Sequence, residues 1–300
     1  MEQRSITVRR SLALLSLFMS ASPSVGGEFS PGVWVAPAAV YFAPELDSFE
    51  GGAFKAKTYI ESTVQGADRS DTIANDLSEF GSSVQAGLEV GVTISDRASV
   101  FVGGSRWDES SSGTVNAPFP LQDSLNQAEY SRSADLSFSD RYLGFEYQFH
   151  RRAEKYGLRA RIAVHQAFGV DYVERYSWNV TDGAATGEHR TVNVEMTADN
   201  SYFPELAIGG TYFFWPWLMA GIDIGYVYDS RPTPVRPGSI SDNFEAGDQV
   251  SIYLPIAPNG VDGDMQYRSG SRDNLEDLEL DFSGWRIYAR IAVSFDGIGL

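Results

Sequence analysis

Apolar residues recur at every second position along most of this chain, with no helical period between the repeats, and this constrains its fold more than any other feature. In SSVQAGLEVGVTIS, residues 82–95, Val84, Ala86, Leu88, Val90, Val92 and Ile94 share one face, and Gln85, Gly87, Glu89, Gly91 and Thr93 share the other. This is a strand with one apolar face. The pattern returns in 141–149 (Leu143, Phe145, Tyr147, Phe149) and in 158–172 (Leu158, Ala160, Ile162, Val164, Phe168, Val170, with Gln166 breaking the row). It returns again in 205–214 (Leu206, Ile208, Gly210, Tyr212, Phe214), 218–226 (Leu218, Ala220, Ile222, Ile224, Tyr226) and 284–295 (Trp285, Ile287, Ala289, Ile291, Val293, Phe295). The chain therefore reads as all-β.

The opposite faces discriminate between a soluble sandwich and a barrel. A sandwich turns its polar faces to water and favours long charged or threonine-rich rows. Here those faces are rich in glycine and alanine, with isolated charges of both signs: Glu89, Glu146, Arg159, Arg161, Glu205, Asp223, Arg286 and Arg290, together with His165. Small residues beside charges that can pair suit the crowded inside of a narrow barrel. These nine residues are the expected lumen-facing group. The apolar rows carry aromatics near strand ends, at Trp107, Phe149, Trp215, Trp217, Trp285 and Phe295, where interfacial girdles place them.

The first residues bear on compartment. Arg4, Arg9 and Arg10 precede the apolar run Leu12 to Met19, and small residues follow through Gly26, the order of a secretory signal peptide. Residues 1–26 are expected to be that peptide and 27–300 a single β-barrel domain. The run is shorter than the roughly 20 apolar residues that a spanning helix needs, so membrane insertion would require a closed barrel. A formal charge of −17 argues against a nucleic-acid partner. The absence of cysteine excludes disulfides and thiolate chemistry.

The signal peptide, the repeated two-residue period and the final strand Tyr288 to Phe295, which ends in an aromatic, together resemble a bacterial outer-membrane β-barrel protein. The resemblance is to the class and covers almost the whole mature chain, although Asp296 to Leu300 follow the aromatic on which the class usually stops. It implies an antiparallel transmembrane up-and-down barrel in the outer membrane. It also implies contact with outer-membrane lipid and lipopolysaccharide, and recognition of the last strand by the barrel-assembly machinery.

Connection lengths set a strand count. Short links at Ser95 to Arg97, Arg151 to Tyr156 and Trp215 to Trp217 are expected to face the periplasm, and long links at 109–139, 179–189 and 230–282 the outside. Parity holds if 191–214 is one long strand whose first half stands above the membrane and pairs with the upper half of 158–178. That gives eight strands, or ten if Phe54 to Val64 and Gln249 to Ile256 also span.

Chemistry is sparse. Three histidines occur: His150 in a short turn, His165 on an inner face and His189 in an outer loop. Glu188-His189 with Asp108-Glu109 faintly echoes the rim carboxylates of omptin-type proteases, but neither surroundings nor spacing match, and no Gly-X-Ser-X-Gly elbow is present. The acidic stretch 242–281 contains Asp262-Gly263-Asp264 and Asp273 to Asp277 without completing a calcium loop. No catalytic group, metal or cofactor is assigned. The expected function is a non-enzymatic, surface-exposed outer-membrane barrel, with a small porin or channel as the alternative and an outer-membrane hydrolase as the third.

Overall fold

The structure is a computed structural model that describes residues 32–95, 97–121, 124–149, 155–215, 217–243, 250–259 and 263–295. The expected signal peptide, His150 and the tail 296–300 lie outside these residues. Eight strands, Val33–Pro44 (β1), Ser83–Thr93 (β2), Ala98–Leu121 (β3), Ser124–Gln148 (β4), Tyr156–Asp182 (β5), Ser201–Trp215 (β6), Leu218–Val227 (β7) and Gly284–Ser294 (β8), form a hydrogen-bonded ring. Each is antiparallel to its neighbours in chain order, and β1 pairs with β8 from Trp34↔Ser294 to Pro44↔Gly284. Among the described residues no helix is long and apolar enough to cross a membrane.

The two candidates for a ninth and tenth strand do not join the ring. Thr58–Val64 pairs on one side with Ala67–Ile73 and on the other with Val250–Tyr253, in a separate three-stranded sheet. The half-and-half strand at 191–214 takes the expected course with a break at Asp199 and Asn200. His189–Ala198 pairs with the upper half of β5, and β6 pairs with its lower half.

The long links differ from expectation. Residues 109–139 run as strand almost to the hairpin tip, so β3, β4 and β5 have 24, 25 and 27 residues against 10 to 12 for β1, β2, β7 and β8. The alternation persists in the extension, but its outward row is Ser, Asn, Asp and Glu, and low hydropathy there reads as loop. Its inward row is apolar: Phe119, Tyr130, Leu136, Trp178, Val194 and others pack with Phe49 and Phe54 from the turn after β1 into a core above the ring.

One glycine resets the sidedness of β5. Gly169 has φ +61°, and the β4–β5 register jumps from Ser139↔Phe168 to Ser137↔Asp171, a β-bulge. An extra residue flips every later side chain to the other face. Ile162 and Val164 face outward, whereas Val170, expected on the same outer row, is buried inside with Tyr172 and Tyr176.

The outward row of the ring is apolar and open: Leu206 and Ile208 are 66% and 68% exposed, and Leu158, Ile162, Ile222 and Ile291 are likewise exposed. Exposed aromatics mark both ends, Phe149, Trp215, Trp217 and Phe295 at the short-link end and Tyr202, Tyr228 and Trp285 at the other. Trp107, expected among them, is buried. It shares the inward parity of Phe101 on β3, a parity that the intervening glycines hide in the sequence, and it stacks on Phe138. Glycines on the inward face make room for large neighbours. A Cβ at Gly91 would overlap the Trp34 ring and one at Gly144 the Phe101 ring.

Candidate functional site

The inside of the ring is built from side chains that alternate with the outward row, so several strands deliver polar groups to a common space. All nine residues expected there are buried: Glu89 on β2, Glu146 on β4, Arg159, Arg161 and His165 on β5, Glu205 on β6, Asp223 on β7, and Arg286 and Arg290 on β8. They gather into two layers.

In the lower layer Arg159 donates from Nε and Nη2 to the two oxygens of Asp223, each at 2.6 Å, and from Nη1 to Thr211 at 2.8 Å. Arg161 bridges Asp223 at 3.0 Å and Glu89 at 2.6 Å. Arg290 donates to Glu89 and Glu146, and its guanidinium lies over the Trp34 ring at 5.1 Å. Tyr142 donates to Glu89 at 3.0 Å. These contacts join β2, β4, β5, β7 and β8, most of which are not neighbours, so the network ties opposite walls together. Bidentate and charge-assisted contacts of this kind are the strong ones.

In the upper layer His165 lies between Asp140, 3.0 Å from Nδ1, and Glu205, 2.9 Å from Nε2. Arg286 donates to Asp140 at 2.5 Å, Tyr288 donates to Glu205 at 3.1 Å, and Arg286 also covers the Phe42 ring at 4.0 Å. Both imidazole nitrogens face carboxylates, and both donate only in the imidazolium form. Four arginines meet five carboxylates here, and that form would balance the charge. Asp140 gives no signal in the sequence, because the residues before Arg141 have the polarity of a loop. Tyr142 and Tyr288 have no distinguishing signal in the sequence beyond their inward parity, which places a hydrogen-bond donor beside the carboxylate row.

Aromatic rings close the space above. His165 stacks on Phe203 at 5.6 Å, Phe203 on Phe282 at 5.4 Å, and Phe282 meets Phe138 edge-on at 4.9 Å. Phe282 belongs to the segment before β8, not to the wall. Higher still, Arg132 and Glu174 form a fully buried pair, with Arg132 Nη2 donating to the Ala53 carbonyl at 2.8 Å and Nη1 to those of Phe54 and Ala56 at 3.3 Å. Tyr172 and Tyr176 both donate to Glu174. Burial first, and the Glu174 charge second, push both phenols well above their ordinary pKa, so they stay donors.

The arrangement offers little chemistry. His165 lies among Asp140, Glu205, the Arg286 guanidinium, whose Nη1 is 3.2 Å from Nδ1, and the Tyr142 and Phe203 rings. His189 pairs across the sheet with Asn179 in the extension, while Asp108 sits opposite Ser137 much lower on the wall. Among the described residues no three His, Cys, Asp or Glu side chains converge into a metal-binding group. A recess of about 1030 Å³ lies on the apolar wall, lined by Pro37, Ala39, Leu158, Tyr212, Ile222 and Ile291 among others.

An eight-strand ring, apolar outside and ion-paired inside, has the character of the bacterial outer-membrane β-barrel class, which this chain resembles. No family model matches the chain, and no curated protein matches it significantly. It is similar to the outer membrane protein OprG from Pseudomonas aeruginosa, with 10% identity over 88% of this chain and 96% of that one and a TM-score of 0.39. It is similar also to a major outer membrane protein from Thermus thermophilus, with 12% identity over 89% and 100% of the two chains and a TM-score of 0.36. The Pseudomonas putida toluene transporter TodX overlaps 89% of this chain and 90% of its own, at 11% identity and a TM-score of 0.26.

Proposed function

We propose that the ring is an integral β-barrel of a bacterial outer membrane, with its short links in the periplasm, its capped hairpins outside and its axis closed in the conformation described. The outward row carries this reading. Large apolar side chains are exposed on every ring strand from β2 to β8 and are bounded by aromatics at both ends, the distribution that lipid selects and water does not. The four short strands have 10 to 12 residues, close to the roughly 9 to 11 that a tilted strand needs to span. In this reading β8 with Phe295 presents the assembly signal to the barrel-assembly machinery, and outer-membrane lipid and lipopolysaccharide are the immediate surroundings.

Ile208→Arg tests the membrane placement. In a lipid-facing belt the change costs about 2–4 kcal/mol near the bilayer midplane, whereas an exposed residue in water shifts stability by no more than about 0.5 kcal/mol. Urea unfolding in phospholipid vesicles reads the difference, and equal midpoints for variant and wild type would remove the lipid reading.

Passage of small solutes is the second reading. The observation that favours it is that the covering elements, Phe282 and the turn 46–56, come from connecting segments and not from the wall. Passage needs both to withdraw and the lower ion pairs to part. The wild-type protein in a planar bilayer is expected to be silent under ordinary voltage, and steady ohmic steps would reverse the order of the two readings.

A further inference from the structure

Two outward-facing arginines stand at the upper border of the apolar belt, Arg106 on β3 and Arg141 on β4, each just above the outward apolar residues Val102 and Leu143 of its strand. We infer that they form a binding site for the phosphate of an anionic glycolipid headgroup in the outer leaflet, an inference that rests on the barrel reading above.

Arg141 is held as a site residue would be. Its Nε donates to Gln166 Oε1 at 2.6 Å, Gln166 Nε2 donates in turn to the Tyr202 hydroxyl at 2.7 Å, and the guanidinium lies over the Phe168 ring at 5.0 Å. Gln166 is the residue that breaks the apolar row of β5, and it is only 7% exposed. A glutamine at that position makes sense as the support of an arginine. With Nε and the ring plane fixed, the two Nη groups are left without a hydrogen-bond partner among the described residues. A planar fork of this kind matches phosphate oxygens.

Arg106 sits opposite Ser139 and so is the diagonal neighbour of Arg141, about 7–8 Å away along the sheet. That spacing lets both arginines reach one tetrahedral anion. Its one hydrogen bond among the described residues is a long donation to Ser137 Oγ at 3.4 Å. Neither arginine enters an ion pair among the described residues, although Arg175 on the same wall takes Asp135 at 2.6 Å. Asp108 and Asp171 flank Ser137 one row higher. Their charge confines an anion to the lower side of the arginines, at the level where lipid headgroups begin.

The experiment compares wild type, the double variant Arg106→Gln/Arg141→Gln and Gln166→Leu, each refolded and checked for a heat-modifiable band, by native mass spectrometry with bisphosphorylated lipid A. Wild type is expected to retain the lipid, the double variant to bind it about tenfold or more weakly, and Gln166→Leu to fall between, because it loses the support and keeps both charges. Dephosphorylated lipid A should bind all three equally weakly, and excess inorganic phosphate should not displace the phosphorylated lipid. Equal retention of lipid A by wild type and double variant would overturn the site, and so would displacement by inorganic phosphate, which would make the ligand a free anion. A wild-type protein that never inserts into vesicles would instead refute the barrel reading, and with it the site.

Discussion

Arg290→Ala is expected to lower the stability of the eight-strand ring by about 3–5 kcal/mol, the usual effect of removing one partner from a buried charge network. Arg290 serves Glu89 and Glu146 and lies 3.7 Å from Asp223. Without it Glu89 keeps Arg161 and Tyr142. Glu146 is left with Gln148 at 3.3 Å and Arg159 at 3.9 Å, too little to hold a buried carboxylate. Arg290→Lys restores the charge but not the two directions of donation, so it should recover only part of the loss. The double change Arg290→Ala/Glu146→Gln should recover more than Arg290→Ala alone, because it withdraws the stranded charge. Tryptophan fluorescence during urea unfolding in vesicles measures all three. A wild-type midpoint for Arg290→Ala would mean that the ion pairs across the lumen do not form.

Arg132→Ala should have an effect of similar size, about 3–5 kcal/mol, but on the cap and not on the ring. The change strands Glu174 among two phenols and removes the guanidinium from the carbonyls of Ala53, Phe54 and Ala56, of which the first two keep the backbone N–H groups of Ala56 and Leu77. Those residues follow Phe49, whose ring meets Tyr172 edge-on at 4.8 Å, so releasing the turn also loosens the apolar core around it. The expected signature is faster amide exchange and proteolysis around residues 46–60 while the heat-modifiable band persists. Unchanged protection of that turn would show that the core alone holds it.

The ring strands and the sign of each face were legible because a strand with one apolar outer face and one packed inner face has a period of two. The same period put the nine expected inner residues on one parity, and all nine are buried. What stayed hidden has specific causes. The bulge at Gly169 flips Val170 inward, and a lone glycine in an alternating row does not announce whether it adds a residue or merely fills a place. Trp107 was assigned outward because Gly103 and Gly104 carry no side chain to show parity. Asp140 and the extended hairpins were missed together: above the belt the outward row faces water, so strand and loop have the same polarity, and only the inward aromatics of 119–138 distinguish them. The Arg132–Glu174 pair had no local signature, since its partners are separated by 42 residues.

The seam between β1 and β8 also dictates an order of events. It joins Trp34 to Ser294, so the ring closes through contacts between the first and the last strand of the described residues. Long loop closures of this kind come late and slowly. Until β8 arrives, β1 and β7 present two rows of unpaired amides and carbonyls, groups that lipid does not tolerate. A nascent or truncated chain that ends before Gly284 therefore leaves both edges unpaired, and, with the ring lipid-embedded as proposed, would have no stable place in a bilayer.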